Sequence, residues 1–296
     1  MKTVNSPAPL LPLGGEAGLA RLVGRRQRFL MDLEDASGPF TAHTNNTGTM
    51  LGLLRPGSEV LTSRSPAPGR KYARTVEAVR HDGFWVGVNT AVPTRLLRAA
   101  WQAGLLPQCA GYAAFRTEPP FEGGRLDALL TTDETSLAAS GTARGPRPVD
   151  VSPAETVAAG GGFPARRPGP PGLEQNQGQG FETLRPSLPD LWIETKNVTL
   201  VEDCQAQFPD APSERARKHL LELSRLARAG SRAALFFAVQ RPDARCFAPA
   251  WAVDEEYARL FVQALEAGVE VWAYEVRVSA AGYDLGERLP LAPLRA

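Results

Sequence analysis

The 296-residue chain has no apolar run of about eighteen residues, so no membrane-spanning helix is expected. Its start, MKTVNSPAPLLPLGGEAGLA, carries one lysine and a short apolar patch broken by proline and glycine. That is too little for a secretory signal, and the expected location is the cytoplasm. The three cysteines (Cys109, Cys204, Cys246) form no C-x-x-C pair, which argues against a disulfide framework and a cysteine zinc site. No G-x-x-x-x-G-K-[ST] loop, H-E-x-x-H or G-x-S-x-G occurs, so the common phosphate-loop, zinc-protease and serine-hydrolase signals are missing. Lysine is scarce too: only Lys2, Lys71, Lys196 and Lys218 among 33 basic residues. Lysine is a compact point charge and arginine a planar fork, so a chain that writes arginine elsewhere draws attention to its few lysines.

Net charge is +1 and by itself implies no polyanionic partner. Residues 1–90, however, hold eleven basic against seven acidic side chains, a mild bias compatible with nucleic acid. From Ala20 to Val88, short β-type runs alternate with NNTG, RPGS, SPAPGR and HDG, the punctuation of a small barrel. The pattern then changes. PTRLLRAAWQAG (93–104) reads as a helix, YAAFRTEPPF (112–121) and RLDALLT (125–131) as strands, and Ser213 to Ala229 as a second helix. RAALFFAVQ suits a strand buried on both faces, followed by a helix over Asp254–Ala267 and a strand over 269–279. Between Thr131 and Asp190 lie nine glycines and nine prolines in sixty residues, including Gly160-Gly161-Gly162. Such a segment is expected to be a disordered, dispensable insertion, because it has too little apolar surface to offset its ordering entropy.

The core order is thus αβββαβ followed by αβ. Within LWIETKNVTLVE, Trp192, Glu194, Lys196 and Val198 share one strand face, with Ile193, Thr195 and Asn197 on the other. If Arg125, Asp127 and Leu129 share a face of the preceding strand, Asp127 and Glu194 converge. Two converging carboxylates repel unless a divalent cation lies between them, and Mg²⁺ favours such hard oxygen ligands. With Lys196 they make the PD-(D/E)xK nuclease pattern: Asp127 and Glu194 as metal ligands, and all three as the catalytic set. A Glu-x-Lys on a solvated strand face is the plainer alternative.

The segments RRQRFLMDLE, TAHTNNTGTMLG, WVGVNTAVPTRLL, GRLDALL, IETKNVTLVE, FPDAPSERARKHLLEL and AGVEVWAYEVRVS resemble the sugar fermentation stimulation protein A (SfsA) family. The resemblance covers nearly the whole chain apart from the insertion. It implies an α/β plus β fold: an OB-like barrel over residues 1–90, then a PD-(D/E)xK nuclease-like domain with a mixed sheet over 91–296. It also implies DNA binding and a regulatory role in sugar (maltose) utilisation. Arg64, Arg70, Lys71, Tyr72 and Arg74 in the barrel suit backbone contact and base stacking, with a solvated hairpin as the equal alternative. Arg215, Lys218 and His219 fall on one helix stripe with Glu222 and are expected to face phosphate, with a solvated polar face as the alternative. Gln240 either ends its strand or reaches the site, and Asn46-Thr47-Gly48 is read as a tight turn.

Three functions remain open: a sequence-non-specific DNA-binding regulator with a Mg²⁺- or Mn²⁺-competent site, an active nuclease on DNA or RNA, and an enzyme or sensor for a small phosphorylated ligand. No membrane partner is expected. Whether the chain cleaves, and what proteins it meets, are left open by the sequence.

Overall fold

A computed structural model describes residues 8–66, 69–121, 124–133 and 188–294; the expected insertion lies mostly outside them. Six strands build the N-terminal unit: β2 (Glu16–Arg26), β3 (Leu30–Asp35), β4 (Gly38–His43), β5 (Glu59–Arg64), β6 (Arg74–His81) and β7 (Phe84–Gly87). They run in the order β4-β3-β2-β5-β6-β7, and a bridge between His43 and Thr75 brings β4 to β6. Alternation decides what faces inward. In β2, Ala20 and Leu22 are buried while Arg21 and Val23 point out, and Leu22 joins Met31, Leu33, Val60, Val76 and Val86 in one core.

The second part is a seven-stranded mixed sheet. Its members are β1 (Leu11–Pro12), β8 (Ala114–Thr117), β11 (Ala128–Thr131), β12 (Leu191–Val198), β15 (Arg232–Val239), β17 (Glu270–Val278) and β18 (Gly282–Leu289), in the order β1-β18-β17-β15-β12-β11-β8. The three central strands, β12, β15 and β17, are parallel and the flanking pairs antiparallel. Helix α1 (Val92–Gln102) covers one face through Leu96, Leu97 and Ala100, which pack on Ile193, Phe236 and Trp272. Helices α2 (Glu214–Arg228) and α3 (Glu255–Glu266) cover the other, with Leu220, Leu223 and Phe261 against Trp192 and Phe237. Burial on both faces is why β15 reads as one continuous apolar run. Both helices begin where the sequence signals it: the Ser213 hydroxyl accepts from Ala216 N at 3.2 Å, and Asp254 Oδ1 accepts from Tyr257 N at 2.9 Å.

Three features depart from the sequence reading. Leu11–Pro12 pairs with β18, so the start of the described chain joins the large sheet rather than the barrel. The strand expected over 125–131 is broken: Gly124–Arg125 (β10) pairs with Pro120–Phe121 (β9), and β11 starts only at Ala128. Arg125 is therefore exposed, 3.4 Å from Glu118, and does not share a strand face with Asp127. Finally, β13 (Leu200–Glu202), β14 (Gln205–Phe208) and β16 (Cys246–Pro249) form a separate small sheet beyond the end of β12.

Candidate metal and nucleic-acid site

Strand β12 carries Glu194 and Lys196 toward the α2 side, as its alternation requires, and antiparallel pairing sets Ala128 opposite Ile193. Asp127, in the break just before β11, then falls level with Glu194. Its Oδ2 accepts from Thr195 N at 2.8 Å and from Thr195 Oγ1 at 2.7 Å, and the Thr195 hydroxyl lies 2.8 Å from that of Thr94 on α1. Thr195, on the other strand face, thus fixes the carboxylate that belongs beside Glu194.

Glu194 is almost completely buried, 2 % exposed. Its Oε1 accepts from Lys196 Nζ at 2.6 Å, and His219 Nδ1 packs against the same oxygen while lying 3.3 Å from Lys196 Nζ. Its Oε2 is buried with no hydrogen-bond partner among the described residues. The electrostatics of the two acids diverge. Burial and then the charge of Glu194 push Asp127 above the usual carboxylate range, against the Thr195 bonds and Lys196. Burial also opposes ionisation of Glu194, yet Lys196 and His219 outweigh it and hold that carboxyl below its ordinary value.

Asp127, Glu194 and Lys196 line one cleft of about 560 Å³. Its other walls come from Asn45–Gly48 and Arg28 of the barrel, Thr94 of α1, the segment Phe208–Ser213, and Arg215 in the first turn of α2. The barrel loop is held there. Asn46 Oδ1 accepts from Gly48 N at 2.9 Å, the expected turn, while Asp210 Oδ2 accepts from Met50 N and Thr49 Oγ1, each at 3.1 Å. Asn45 accepts from Thr90 N at 2.9 Å and donates to Asn89 Oδ1 at 2.6 Å.

The sequence-derived basic residues divide. Arg215 lines the cleft. His219 does not present itself to solvent: it is 6 % exposed because α2 packs it onto β12 beside Glu194. Lys218 is exposed, 3.8 Å from Glu222 Oε1. Arg64, Arg70, Lys71, Tyr72 and Arg74 do not line the cleft. Arg74 lies over the Phe40 ring and 3.9 Å from Asp35, Arg70 donates to Thr75 Oγ1 at 3.4 Å, and Lys71 sits over Tyr72. Gln240 also stays outside, donating to Asn197 Oδ1 at 2.9 Å and so supporting a cleft residue. Sequence reasoning missed Arg28, Thr195 and Asp210. Asp210 sits in the FPDA segment already noted, but only the folded chain shows it reaching the barrel.

Two family sequence models match, "SfsA N-terminal OB domain" over residues 23–88 and "Sugar fermentation stimulation protein RE domain" over 181–282. A sugar fermentation stimulation protein homolog of Syntrophobacter fumaroxidans is 44% identical over 270 residues, covering 91% of this chain and 83% of that one. This chain belongs to the SfsA family. The homolog of Maridesulfovibrio salexigens is 42% identical, covering 93% and 94% of the two chains. Among solved structures, Pyrococcus furiosus SfsA in complex with Ca²⁺ superposes with a TM-score of 0.73 at 21% identity, covering 97% of this chain and all of that one. The SfsA fold, an OB domain followed by a domain with a mixed sheet, is the one described above. Among the described residues no helix is long and apolar enough to cross a membrane.

Proposed function

We propose that this SfsA-family chain binds nucleic acid, DNA without sequence preference, and holds a divalent cation, Mg²⁺ or Mn²⁺, between Asp127 and Glu194. The observation that carries this reading is Glu194 Oε2, a buried carboxylate oxygen without a partner in a residue that lines the cleft. A buried, unpaired carboxylate oxygen is costly, and a cation shared with Asp127 would satisfy it and relieve the repulsion between the two acids. The donor set is all oxygen, which suits a hard cation. That the Pyrococcus furiosus SfsA structure contains Ca²⁺ supports the same chemistry.

When bound, such a cation lowers the pKa of a water and offsets charge developing on a phosphate. The chain's own residues do the rest. Thr195 orients Asp127, His219 and Lys196 fix Glu194 Oε1, and the Lys196 ammonium adds a fixed positive charge in the cleft. That ammonium favours phosphodiester cleavage over binding alone, and makes the second domain nuclease-like in chemistry. A role in regulating sugar (maltose) utilisation rests on family resemblance.

The test is a panel of single-stranded and duplex DNA and RNA, with Mg²⁺, Mn²⁺ or chelator, at several salt concentrations. Binding is expected to weaken steeply with salt, through counterion release. Metal-dependent cleavage is expected of the wild type and lost in Lys196→Ala, by about a hundredfold or more, with binding retained. Binding without cleavage on every substrate supports a regulator instead, and salt-insensitive binding supports a small phosphorylated ligand.

A further inference from the structure

Two arginines that line the cleft have no charge partner among the described residues. Arg28 comes from the turn between β2 and β3, and Arg215 from the first turn of α2; both are exposed, and neither guanidinium forms a hydrogen bond or ion pair with another described residue. Two neighbouring arginines are engaged: Arg217 with Asp254, and Arg25 with the backbone. Arg28 is also held in place. Gln27 and Arg28 both take positive φ, 52° and 62°, a turn few side chains adopt freely. Arg25 braces that turn by donating to Arg28 O at 2.7 Å, and its other nitrogens donate to Asn46 O at 2.7 Å and Gly48 O at 2.9 Å. The same loop is tied through Thr49 and Met50 to Asp210, in the segment leading into α2. A continuous set of hydrogen bonds therefore sets the Arg28 turn relative to the wall from which Arg215 projects.

We infer that the barrel completes the cleft as a clamp for one strand of nucleic acid, in which Arg28 and Arg215 each hold a phosphate beside the Asp127–Glu194 centre. This deepens the nucleic-acid reading and rests on it. Guanidinium forks match phosphate oxygens, and two of them beside paired carboxylates suit a chain of phosphates. The cleft volume, 560 Å³, is that of a site for a single small ligand, about 300–1,000 Å³. With the barrel loop tied down, that space matches a short length of one strand. Arg28, which belongs to the barrel, makes the site a product of both domains.

The experiment uses the full chain in Ca²⁺, with fluorescein-labelled oligodeoxythymidylate as the single strand and a labelled duplex of the same length, followed by anisotropy. Arg28→Ala, Arg215→Ala and the double variant are compared with wild type, and Mn²⁺ uptake is measured in parallel. Both side chains are exposed, so melting temperature and Mn²⁺ uptake should be unchanged. Single-strand affinity should fall about tenfold with each substitution, and the salt slope should flatten by about 0.7 per arginine. The duplex should bind more weakly than the strand and respond less to either substitution. Wild-type strand affinity in both single variants, or a duplex bound as tightly as the strand with the same dependence on both arginines, overturns the clamp alone. A wild type that takes up neither Mn²⁺ nor any oligonucleotide overturns both the clamp and the function it rests on.

Discussion

Asp127 and Glu194 show how environment separates two chemically similar acids. Glu194 is matched by Lys196 and His219 on one oxygen, whereas Asp127, despite the Thr195 bonds and the charge of Lys196, is held above the ordinary carboxylate range by burial and by Glu194. A raised folded pKa means that the folded chain holds a proton the unfolded chain has released. The Asp127 contribution to stability therefore falls as pH rises from the ordinary carboxylate pKa toward its raised one. Asp127→Asn keeps an oxygen for the Thr195 bonds and removes the charge, so it should raise the melting temperature in chelator at neutral pH. A differential scanning calorimetry trace with a lower midpoint than wild type contradicts this. If Asp127 holds the proposed cation, uptake requires the carboxylate and should weaken as pH drops through the same raised range. The parity of Glu194 and Lys196 was readable from a period of two, because β12 is regular. The partners were not: that Thr195 would cross to Asp127, or that His219 would pack on Glu194, depends on how α1 and α2 dock.

At the scale of elements, Asp254 joins two helix starts. It caps α3 through Tyr257 N, accepts from Ser213 N at 2.9 Å beneath the start of α2, and takes Arg217 on both oxygens at 2.7–3.2 Å. Burial opposes its ionisation, but the Arg217 and backbone hydrogen bonds outweigh that and hold its pKa below the usual value. Its stabilisation is present above the ordinary Asp pKa and is lost as pH falls through the depressed one. Asp254→Ala should cost about 2–4 kcal/mol in urea unfolding at neutral pH, with the difference from wild type shrinking in strong acid. A cost of a few tenths would show that water replaces these bonds. Caps such as Ser213 and Asp254 made the helix ends legible. The break at Leu126-Asp127 was not, because RLDALLT alternates well enough to read as one strand; Glu118, at a positive φ of 49°, turns the neighbouring chain so that β9 and β10 form their own hairpin. The small β13-β14-β16 sheet was also missed, since parallel pairing of β14 with β16 joins segments some forty residues apart.

For the whole molecule, barrel and sheet meet around a buried carboxylate. Glu77 on β6, 4 % exposed, accepts from Ser63 Oγ at 2.5 Å, Asn89 Nδ2 at 2.8 Å and Tyr283 OH at 2.7 Å, the last from β18. Burial and Glu77 together raise the Tyr283 hydroxyl well above its normal pKa, so it stays a donor. Glu77→Ala strands three buried donors and should destabilise the chain by about 3 kcal/mol or more. A melting curve matching wild type would mean the junction does not rely on it. This junction could not be read from sequence, because Tyr283 lies 206 residues from Glu77. Its consequence is functional: with the barrel fixed, loop 45–48 and Arg28 face the carboxylates in one cleft. The claim at the centre is that the cleft holds one divalent cation between Asp127 and Glu194. Calorimetric titration of Mn²⁺ into chelator-treated, dialysed protein tests it most directly. The account predicts one equivalent bound by wild type and by Lys196→Ala, with binding lost in Asp127→Asn and Glu194→Gln; equal uptake by all four proteins would contradict it.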